Sequence, residues 1–301
     1  MKGGEFVTFR KYLQLARLSN AFTAPSNVIS GYLIVTPISE LDSLNLVTLI
    51  LSSTFLYVSG VIFNDYFDIE IDRKERPSRP LPSGSIPKQR AKKIAFGLMI
   101  LAIILSLTVS WTSFAIAVFL SGIIIAYNYG LKHNKFSNPI TMGSARFLNV
   151  ILGASPAFNL SLQTNSLQLI FVAFSVLTYV FVIAVFSRKE MSGMQEKRQI
   201  IILFSIVYIV IVLITIVTLL GFFMMWSFII LVPFAIIVGI IFKQTLSGGS
   251  EEIRRGIKNM VISIIILDSI FVSGVAGLLY GFLTLLFLFP SILLSKKLYV
   301  T

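Results

Sequence analysis

NDYFDIEIDRKERPSRPLPSG, residues 64–84, concentrates charge in a chain that is otherwise mostly apolar. Five of the protein's thirteen carboxylates and eight of its twenty-five lysines and arginines lie between Asp65 and Lys93. The flanking stretches 45–66 and 93–110 are apolar, and each is about as long as a helix needs to be to cross a bilayer. An acidic and then basic segment between two such stretches indicates a polar site at one boundary of a membrane.

The composition of the whole chain excludes an ordinary soluble domain. Of its 301 residues, 56% are hydrophobic and 13% are charged, and the mean hydropathy is +0.89. Apolar runs recur at 17–37, 45–66, 93–110, 114–130, 140–158, 168–187, 200–221, 225–242, 258–279 and 281–295. In lipid such runs must be helical unless they close into a barrel, and they lack the strict alternation of barrel strands. We therefore expect an all-α fold, a transmembrane bundle of nine or ten helices that forms a single domain over residues 1–301.

The distribution of positive charge predicts that the amino terminus lies in the cytoplasm. In that orientation the cytoplasmic segments and the adjoining helix ends hold 24 of the 25 basic residues, and the external connections hold none. This is the positive-inside pattern, and it accounts for the net charge of +12 without a nucleic-acid partner. The absence of cysteine excludes disulfides and thiolate metal ligands. The composition fits the plasma membrane of a prokaryote.

Three aspartates of the charged segment share one face of the expected helix. The spacing of Asp65, Asp68 and Asp72 places them within an arc of roughly 60°, with Asn64 beside them. Clustered carboxylates at a membrane boundary repel one another unless a cation compensates them. An all-oxygen ligand set without a neighbouring histidine or cysteine favours Mg²⁺, Mn²⁺ or Ca²⁺ over zinc. The three aspartates are therefore candidate metal ligands.

Basic residues follow these acids directly. Arg73, Lys74, Arg76 and Arg79 suit a phosphate group, because a guanidinium binds it in a bidentate manner and Mg²⁺ commonly shares its ligands with a substrate's phosphates. Acids for a metal and bases for an anion, at the lip of an apolar bundle, indicate a diphosphate that carries a lipid tail. Alternatively, the bases are solvated loop charges that obey the positive-inside rule, which leaves the acids unexplained.

The segment 64–84 resembles the first aspartate-rich motif of the UbiA superfamily of intramembrane prenyltransferases, N-D-x-x-D-x-x-x-D followed by R-P-L-P-S-G. The resemblance implies a helical bundle with a lateral opening to lipid. It also implies transfer of an isoprenyl group from a Mg²⁺-bound prenyl diphosphate to an aromatic or lipid acceptor, with release of diphosphate. The residue roles that it implies are catalysis and metal binding by Asp65, Asp68 and Asp72, support by Asn64, and phosphate contacts by Arg76 and Arg79.

Two further stretches are similar to parts of the same superfamily. YNYGLK, residues 127–132, resembles the turn after the fourth helix, which makes Tyr127 and Lys132 candidate substrate-binding residues. SNAFTAPSNVISG, residues 19–31, resembles the polar-interrupted first helix, in which Asn27 would face the cavity. The alternatives are that Lys132 is a topological charge and that the small and polar residues of 19–31 serve helix packing.

The chain departs from the superfamily at the second carboxylate motif, which is incomplete. At the cytoplasmic end of the sixth helix it reads FSRKEMSGMQEKRQ, residues 186–199, where only Glu190 stands in the expected place. One interpretation is a diverged active enzyme in which Glu190 is a metal ligand and Arg188 neutralises diphosphate in place of a second metal. The other is a non-catalytic homologue or transporter that binds an isoprenoid or lipid phosphate, or a cation.

Two ionisable residues lie inside predicted spans, where charge is costly and often functional. Arg146 is a candidate substrate-binding residue, or it extends its side chain to the interface. Asp268 contacts the acceptor or is a neutral, hydrogen-bonded part of the core. The resemblance to the superfamily implies a membrane prenyltransferase of lipid or quinone biosynthesis. Its cofactor would be Mg²⁺, and its partners a prenyl diphosphate, a lipophilic acceptor and the membrane lipid.

Overall fold

A computed structural model of the chain describes residues 2–159, 165–191, 197–247 and 249–298, without the side chains of 2–8, 159, 189–191 and 298. The helices in these ranges are α1 (Lys2–Leu15), α2 (Leu18–Ala21), α3 (Thr23–Val35), α4 (Ser43–Phe67), α5 (Ile69–Glu75), α6 (Lys88–Val109), α7 (Trp111–Tyr129), α8 (Ser137–Ala154), α9 (Ser166–Met191), α10 (Lys197–Leu219), α11 (Phe228–Ser247), α12 (Ser250–Ile262), α13 (Ile264–Ala276), α14 (Leu278–Leu285) and α15 (Leu288–Leu298). The described ranges contain no strand. The prediction of an all-α fold is confirmed.

Eight stretches of the described chain are long and apolar enough to cross a membrane: Ser43–Phe67, Lys88–Val109, Trp111–Tyr129, Ser166–Arg188, Lys197–Leu219, Met225–Ser247, Ser250–Ala276 and Leu278–Lys297. They correspond to eight of the ten apolar runs in the sequence. The other two runs are helical as well, but Phe22 divides the first into α2 and α3, and polar side chains interrupt the second, α8. The protein is an integral-membrane helical bundle.

The long apolar stretch near the carboxyl end forms two spans. Gly277 separates α13 from α14. Its φ of 93° and ψ of 165° are backbone angles that residues with a Cβ rarely adopt. The sequence left nine or ten helices open, and this division favours ten.

The segment that carries the aspartates is a helix with one interruption. It begins after Asp42, whose carboxylate accepts hydrogen bonds from the N–H groups of Leu44 and Asn45 at 2.9 and 3.1 Å. α4 ends where Asp68 leaves helical geometry, at φ −90° and ψ 6°. The hydrogen-bond ladder nevertheless continues into α5, because the N–H of Asp72 donates to the carbonyl of Asp68 at 2.8 Å. The face predicted from the spacing of the three aspartates therefore survives the interruption.

The backbones of α3 and α8 approach each other closely beside the polar interior. A Cβ on Gly31 would lie 1.9 Å from the carbonyl oxygen of Val150, and a Cβ on Gly153 would lie 2.2 Å from that of Val28. Small residues thus let the two backbones touch, as in many membrane helix pairs. Both helices contribute to two buried apolar clusters, one built mainly from the first seven helices and one from α9 to α13.

Candidate active site

A cavity of about 1180 Å³ lies among α4, α5, α7, α8, α9 and α12. It is charged where the segment 64–84 reaches it, and it is largely apolar along α7 and α9. Ten of the twelve site residues predicted from the sequence line it: Asn64, Asp65, Asp68, Asp72, Arg76, Arg79, Tyr127, Lys132, Arg146 and Arg188. The side chain of Glu190 lies outside the described part of the structure.

Asp65 and Asp72 converge on one guanidinium. Nη1 of Arg79 lies 2.8 Å from Oδ2 of Asp72 and 3.5 Å from Oδ1 of Asp65, and both aspartates are only 3% exposed. Nη1 of Arg76 is more distant, at 4.0 Å from Oδ1 of Asp72. Burial, and then the nearby charge of Arg17, lower the pKa of Arg79 below its ordinary value, although Asp65 and Asp72 oppose the shift. An additional anion beside Arg79 would stabilise its charged form.

Arg17 completes this cluster, and no motif in the sequence pointed to it. Its Nη2 lies 2.6 Å from Oδ1 of Asp65, the shortest ion pair described in the structure. Arg17 has φ 41° and ψ 50°, and it is the only non-glycine residue of the described chain with positive φ. An L-residue pays about 1–2 kcal/mol for this left-handed conformation. The contact with Asp65 and the turn between α1 and α2 hold the side chain over the aspartates.

Lys132 neutralises the third aspartate from the opposite side. Its Nζ lies 2.7 Å from Oδ1 of Asp68 and donates to Oδ1 of Asn64 at 3.3 Å. The side chain is buried although it belongs to a short turn after α7. A charge that merely sets membrane topology would be solvated, so this geometry favours the binding role over the topological one.

Arg188 fixes the turn that carries Lys132. Its Nη1 donates to the carbonyls of Asn134 at 2.5 Å and Lys132 at 3.3 Å, and its Nη2 donates to that of His133 at 3.3 Å. Nδ2 of Asn138 donates to the carbonyl of Lys132 as well, at 2.9 Å. The sequence assigned Arg188 to the diphosphate alone. In the structure Arg188 lines the cavity but directs three hydrogen bonds at backbone carbonyls.

Arg146 occupies the inner part of the cavity and does not extend to the interface. Its Nη1 donates to the carbonyl of Thr23 and to Oδ1 of Asn27, both at 3.1 Å, and its Nη2 donates to Oγ1 of Thr23 at 2.7 Å. Its Cζ lies 5.0 Å from the ring centre of Tyr57, within the range of a cation–π contact.

Asn27 lies behind Arg146, and the cavity lining does not include it. The sequence placed Asn27 on the cavity, but the residue is fully buried and its Nδ2 donates to Oδ2 of Asp268 at 2.8 Å. Asp268 is also fully buried, and it accepts from the hydroxyl groups of Ser26 at 2.6 Å and Ser30 at 3.4 Å. Asp268 is thus part of a hydrogen-bonded core, and its carboxylate reaches Arg146 only through the amide of Asn27.

The donor set at the mouth of the cavity fits a hard divalent cation only in part. The described residues contain no group of three or more Asp, Glu, His or Cys side chains close enough to hold one metal ion. Asp68 is turned toward Lys132, whereas Asp65 and Asp72 converge on Arg79. Mg²⁺ usually takes one or two carboxylates together with waters and substrate phosphates. Asp65 and Asp72 fit this coordination once Arg79 no longer contacts them. A metal role for all three aspartates stays a prediction.

The sequence profile of the UbiA prenyltransferase family matches residues 26–265 of this chain. A digeranylgeranylglyceryl phosphate synthase of Methanocaldococcus jannaschii is 44% identical over 101 residues, which are 34% of this chain and 35% of that protein. A synthase of the same name from Metallosphaera sedula is 27% identical over 187 residues, 62% of this chain and 63% of that protein. The matches thus span from about a third to somewhat under two thirds of the length of these curated relatives.

Solved structures share the fold over nearly the whole chain. One, from a study of digeranylgeranylglyceryl phosphate synthase in membranes, has a TM-score of 0.66 and 26% identity, and the match covers 89% of this chain and 99% of that one. A UbiA homologue from Archaeoglobus fulgidus bound to GPP and Mg²⁺ has a TM-score of 0.64 and 18% identity, with 91% and 99% covered. At the latter identity the likeness concerns the fold alone.

Proposed function

The chain belongs to the UbiA prenyltransferase family, and we propose that it transfers an isoprenyl group from a Mg²⁺-bound prenyl diphosphate to a glyceryl phosphate lipid, releasing diphosphate. One observation carries the proposal: three aspartates line a single cavity and each lies within ion-pair distance of a base, which is Arg17, Arg79 or Lys132. The names of the curated relatives, synthases of digeranylgeranylglyceryl phosphate, support the choice of acceptor.

Substrate binding would exchange partners within this cluster. Asp65 and Asp72 would hold Mg²⁺; the support is that their carboxylates already converge on the guanidinium of Arg79. Arg79 would leave them for a phosphate oxygen, and Arg17 and Arg76 stand next to it for the same group. When bound, Mg²⁺ supplies positive charge to the departing diphosphate.

The bases at the mouth of the cavity would then stabilise the transition state. Their charge faces the oxygens that become negative as the bond between C1 and the diphosphate breaks, with both electrons leaving on the diphosphate. The acceptor hydroxyl forms the new bond to C1, and its proton passes to the diphosphate. Apolar side chains of α7 and α9, together with Tyr57 and Tyr127, keep water from the allylic cation. The hydroxyl of Tyr127 accepts from Nδ2 of Asn138 at 3.4 Å, which orients the ring.

We place the charged end of the cavity and the amino terminus on the cytoplasmic side of a prokaryotic plasma membrane. The support is the positive-inside rule, because the loop 67–92 and the turn 131–135 carry much of the basic charge of the chain. Both segments adjoin the cavity. A substrate made in the cytoplasm would reach the aspartates from that side.

The test is product formation by the purified full-length protein. It is incubated with Mg²⁺, labelled geranylgeranyl diphosphate and a glyceryl phosphate that carries one geranylgeranyl chain, and the labelled lipid is identified by mass spectrometry. Asp72→Asn removes one proposed metal ligand and should lower the rate at least about a hundredfold. Glu70→Gln is the matched control, since Glu70 lies on the same short helix but is exposed and bonded to Arg73. Equal turnover by Asp72→Asn, or solute flux with no covalent product, would refute the proposal.

A further inference from the structure

The cavity has two walls of different charge. Four carboxylates line it on α4 and α5; these are Asp65, Asp68, Asp72 and Glu75. On the facing wall, formed by α9 and α12, the described lining residues include the bases Arg188, Arg254 and Lys258 and no carboxylate. We call this second surface the basic wall. A single diphosphate with a metal would use the charges of the first wall.

On α9 the basic wall is charged in the last turn of the helix and apolar in the turns before it. Val180, Ile183, Ala184 and Arg188 line the cavity, and their spacing of three and four residues places them on one face of the helix. Arg188 lies in the last turn of α9, and the three apolar residues precede it toward the middle of the membrane span.

The same order is repeated on α12 in the opposite chain direction. Arg254 and Lys258 lie one turn apart within the helix, and both line the cavity. Ile257, Val261 and Ile264 continue the lining toward and into α13. Both helices thus offer positive charge at one level and apolar surface beneath it. This is the complement of an amphiphile with an anionic head and an apolar chain.

Arg188, one base of this wall, lies next to the turn that carries Lys132 to the aspartates. Arg188 donates to the backbone of the turn 131–134, and the ammonium of Lys132 in that turn lies 2.7 Å from Asp68. α12 packs directly against α9, the helix that carries Arg188. Two anionic headgroups could therefore lie side by side at the mouth of the cavity.

Equal depth of the two headgroups has a chemical consequence. In a prenyl diphosphate the reacting carbon, C1, is bonded to the oxygen of the first phosphate. In a glyceryl phosphate lipid with a free secondary hydroxyl, the hydroxyl stands on the carbon next to the phosphate-bearing one. Headgroups at one level therefore bring the two reacting atoms to similar depth below them. A reaction between such partners needs no further rearrangement of the lipid chains.

We propose that the basic wall is the acceptor subsite, and that Arg254 and Lys258 select an acceptor with a phosphate monoester head and one apolar chain, while Arg188 holds the adjoining turn. The inference rests on the proposed function and deepens it, because it assigns the second substrate to particular residues. Charge-assisted hydrogen bonds to the phosphate supply the selection, and the apolar stripe receives the chain.

The first test measures acceptor binding without catalysis. Labelled monooleoylglyceryl phosphate is titrated into the purified full-length protein in detergent with EDTA, alongside its phosphate-free counterpart, monooleoylglycerol. The double variant Arg254→Gln/Lys258→Gln should bind the phosphate lipid at least about tenfold more weakly than the wild type. It should bind monooleoylglycerol as the wild type does. Lys258→Arg in the Arg254→Gln background should restore part of the affinity. Glyceryl phosphate without a chain should compete poorly, because it leaves the apolar stripe unused.

The control is Arg255→Gln. Arg255 belongs to the same helix, but it is exposed, lies outside the cavity lining and pairs with Glu251 at 3.9 Å. Its variant should bind both lipids as the wild type does. Unchanged phosphate-lipid binding in the double variant, or an equal loss with monooleoylglycerol, would overturn the proposal. Competition by glyceryl phosphate as strong as that of the lipid would overturn the assignment of the chain.

A kinetic experiment separates this inference from the proposed function. In the double variant, KM for the acceptor should rise about tenfold while KM for the prenyl diphosphate stays the same. A parallel rise of both values would indicate general damage and count against the subsite. A wild-type protein that binds the phosphate lipid selectively but forms no product would overturn the proposed function and leave the subsite. Normal product formation with an unchanged acceptor KM in the double variant would overturn the subsite and leave the proposed function standing.

Discussion

Replacing Arg79 should tighten metal binding to the free protein, although Arg79 is itself part of the proposed site. Nη1 of Arg79 stands 2.8 Å from Asp72 and 3.5 Å from Asp65, the two carboxylates that we propose for Mg²⁺. In the absence of substrate the guanidinium therefore competes with the metal. Arg79→Gln removes the competing charge and keeps a side chain of similar reach.

The size of the effect follows from the contacts that the metal has to displace. The side chain of Arg79 is 20% exposed and both aspartates are buried, so these are charge-assisted hydrogen bonds with little solvent screening. Such a bond contributes about 1.5–3 kcal/mol. Removing it should therefore tighten metal binding about tenfold to a hundredfold when no diphosphate is present. With diphosphate present the sign reverses, because the variant lacks a phosphate contact.

The assay is titration of Mn²⁺, as a spectroscopic substitute for Mg²⁺, monitored by electron paramagnetic resonance with and without inorganic diphosphate. The wild type should show strong mutual enhancement of Mn²⁺ and diphosphate binding, and Arg79→Gln should show little. Arg73→Gln is the matched control, because Arg73 belongs to the same segment but bonds to the exposed Glu70 at 3.0 Å. Weaker Mn²⁺ binding by diphosphate-free Arg79→Gln, or an equal change in the control, would refute the reasoning.

Two further predictions concern the supports of the site. Arg188→Gln should raise KM for the prenyl diphosphate about tenfold in the wild-type background, because Arg188 holds the turn of Lys132. In a protein that already carries Lys132→Gln, the same change should raise this KM less than about twofold. Equal increases in both backgrounds would contradict this role. Gly153→Ala should lower the free energy of unfolding by about 1–3 kcal/mol, measured by thermal unfolding in detergent, because its Cβ would lie 2.2 Å from the carbonyl of Val28. Gly122→Ala, which meets no atom within 4 Å, should be neutral or stabilising, and a Gly153→Ala protein of wild-type stability would refute the close α3–α8 contact.

Features that depend on local pattern were predictable from the sequence. The apolar runs identify the spans because a bilayer sets the length of a helix, and eight of the ten recur in the described structure. The aspartates share a face because a spacing of three and four residues fixes their angle around the axis. The interruption at Asp68 did not disturb this, since hydrogen bonds continue across it.

Features that depend on distant contacts were not predictable. Arg17 reaches Asp65 across 48 positions, and only the turn at φ 41° directs it there; in the sequence it is one more base near a membrane boundary. Asn27 was recognised as polar within an apolar run, but its direction is set by Asp268, which lies 241 positions away. A single sequence does not show which side of a helix a distant partner will cover.

The buried carboxylate of Asp268 has a consequence for the assembly of the protein during synthesis. Inserting an aspartate at the centre of a helix into lipid costs about 2.5–3.5 kcal/mol, and here its hydrogen-bond donors Ser26, Asn27 and Ser30 all belong to α3. The hydroxyl of Ser291 likewise donates to the carbonyl of Ser19 at 2.6 Å. The contact between α3 and Asp268 can therefore form only after α13 has been synthesised, and a chain stopped before α13 leaves Ser26, Asn27 and Ser30 without their shared carboxylate.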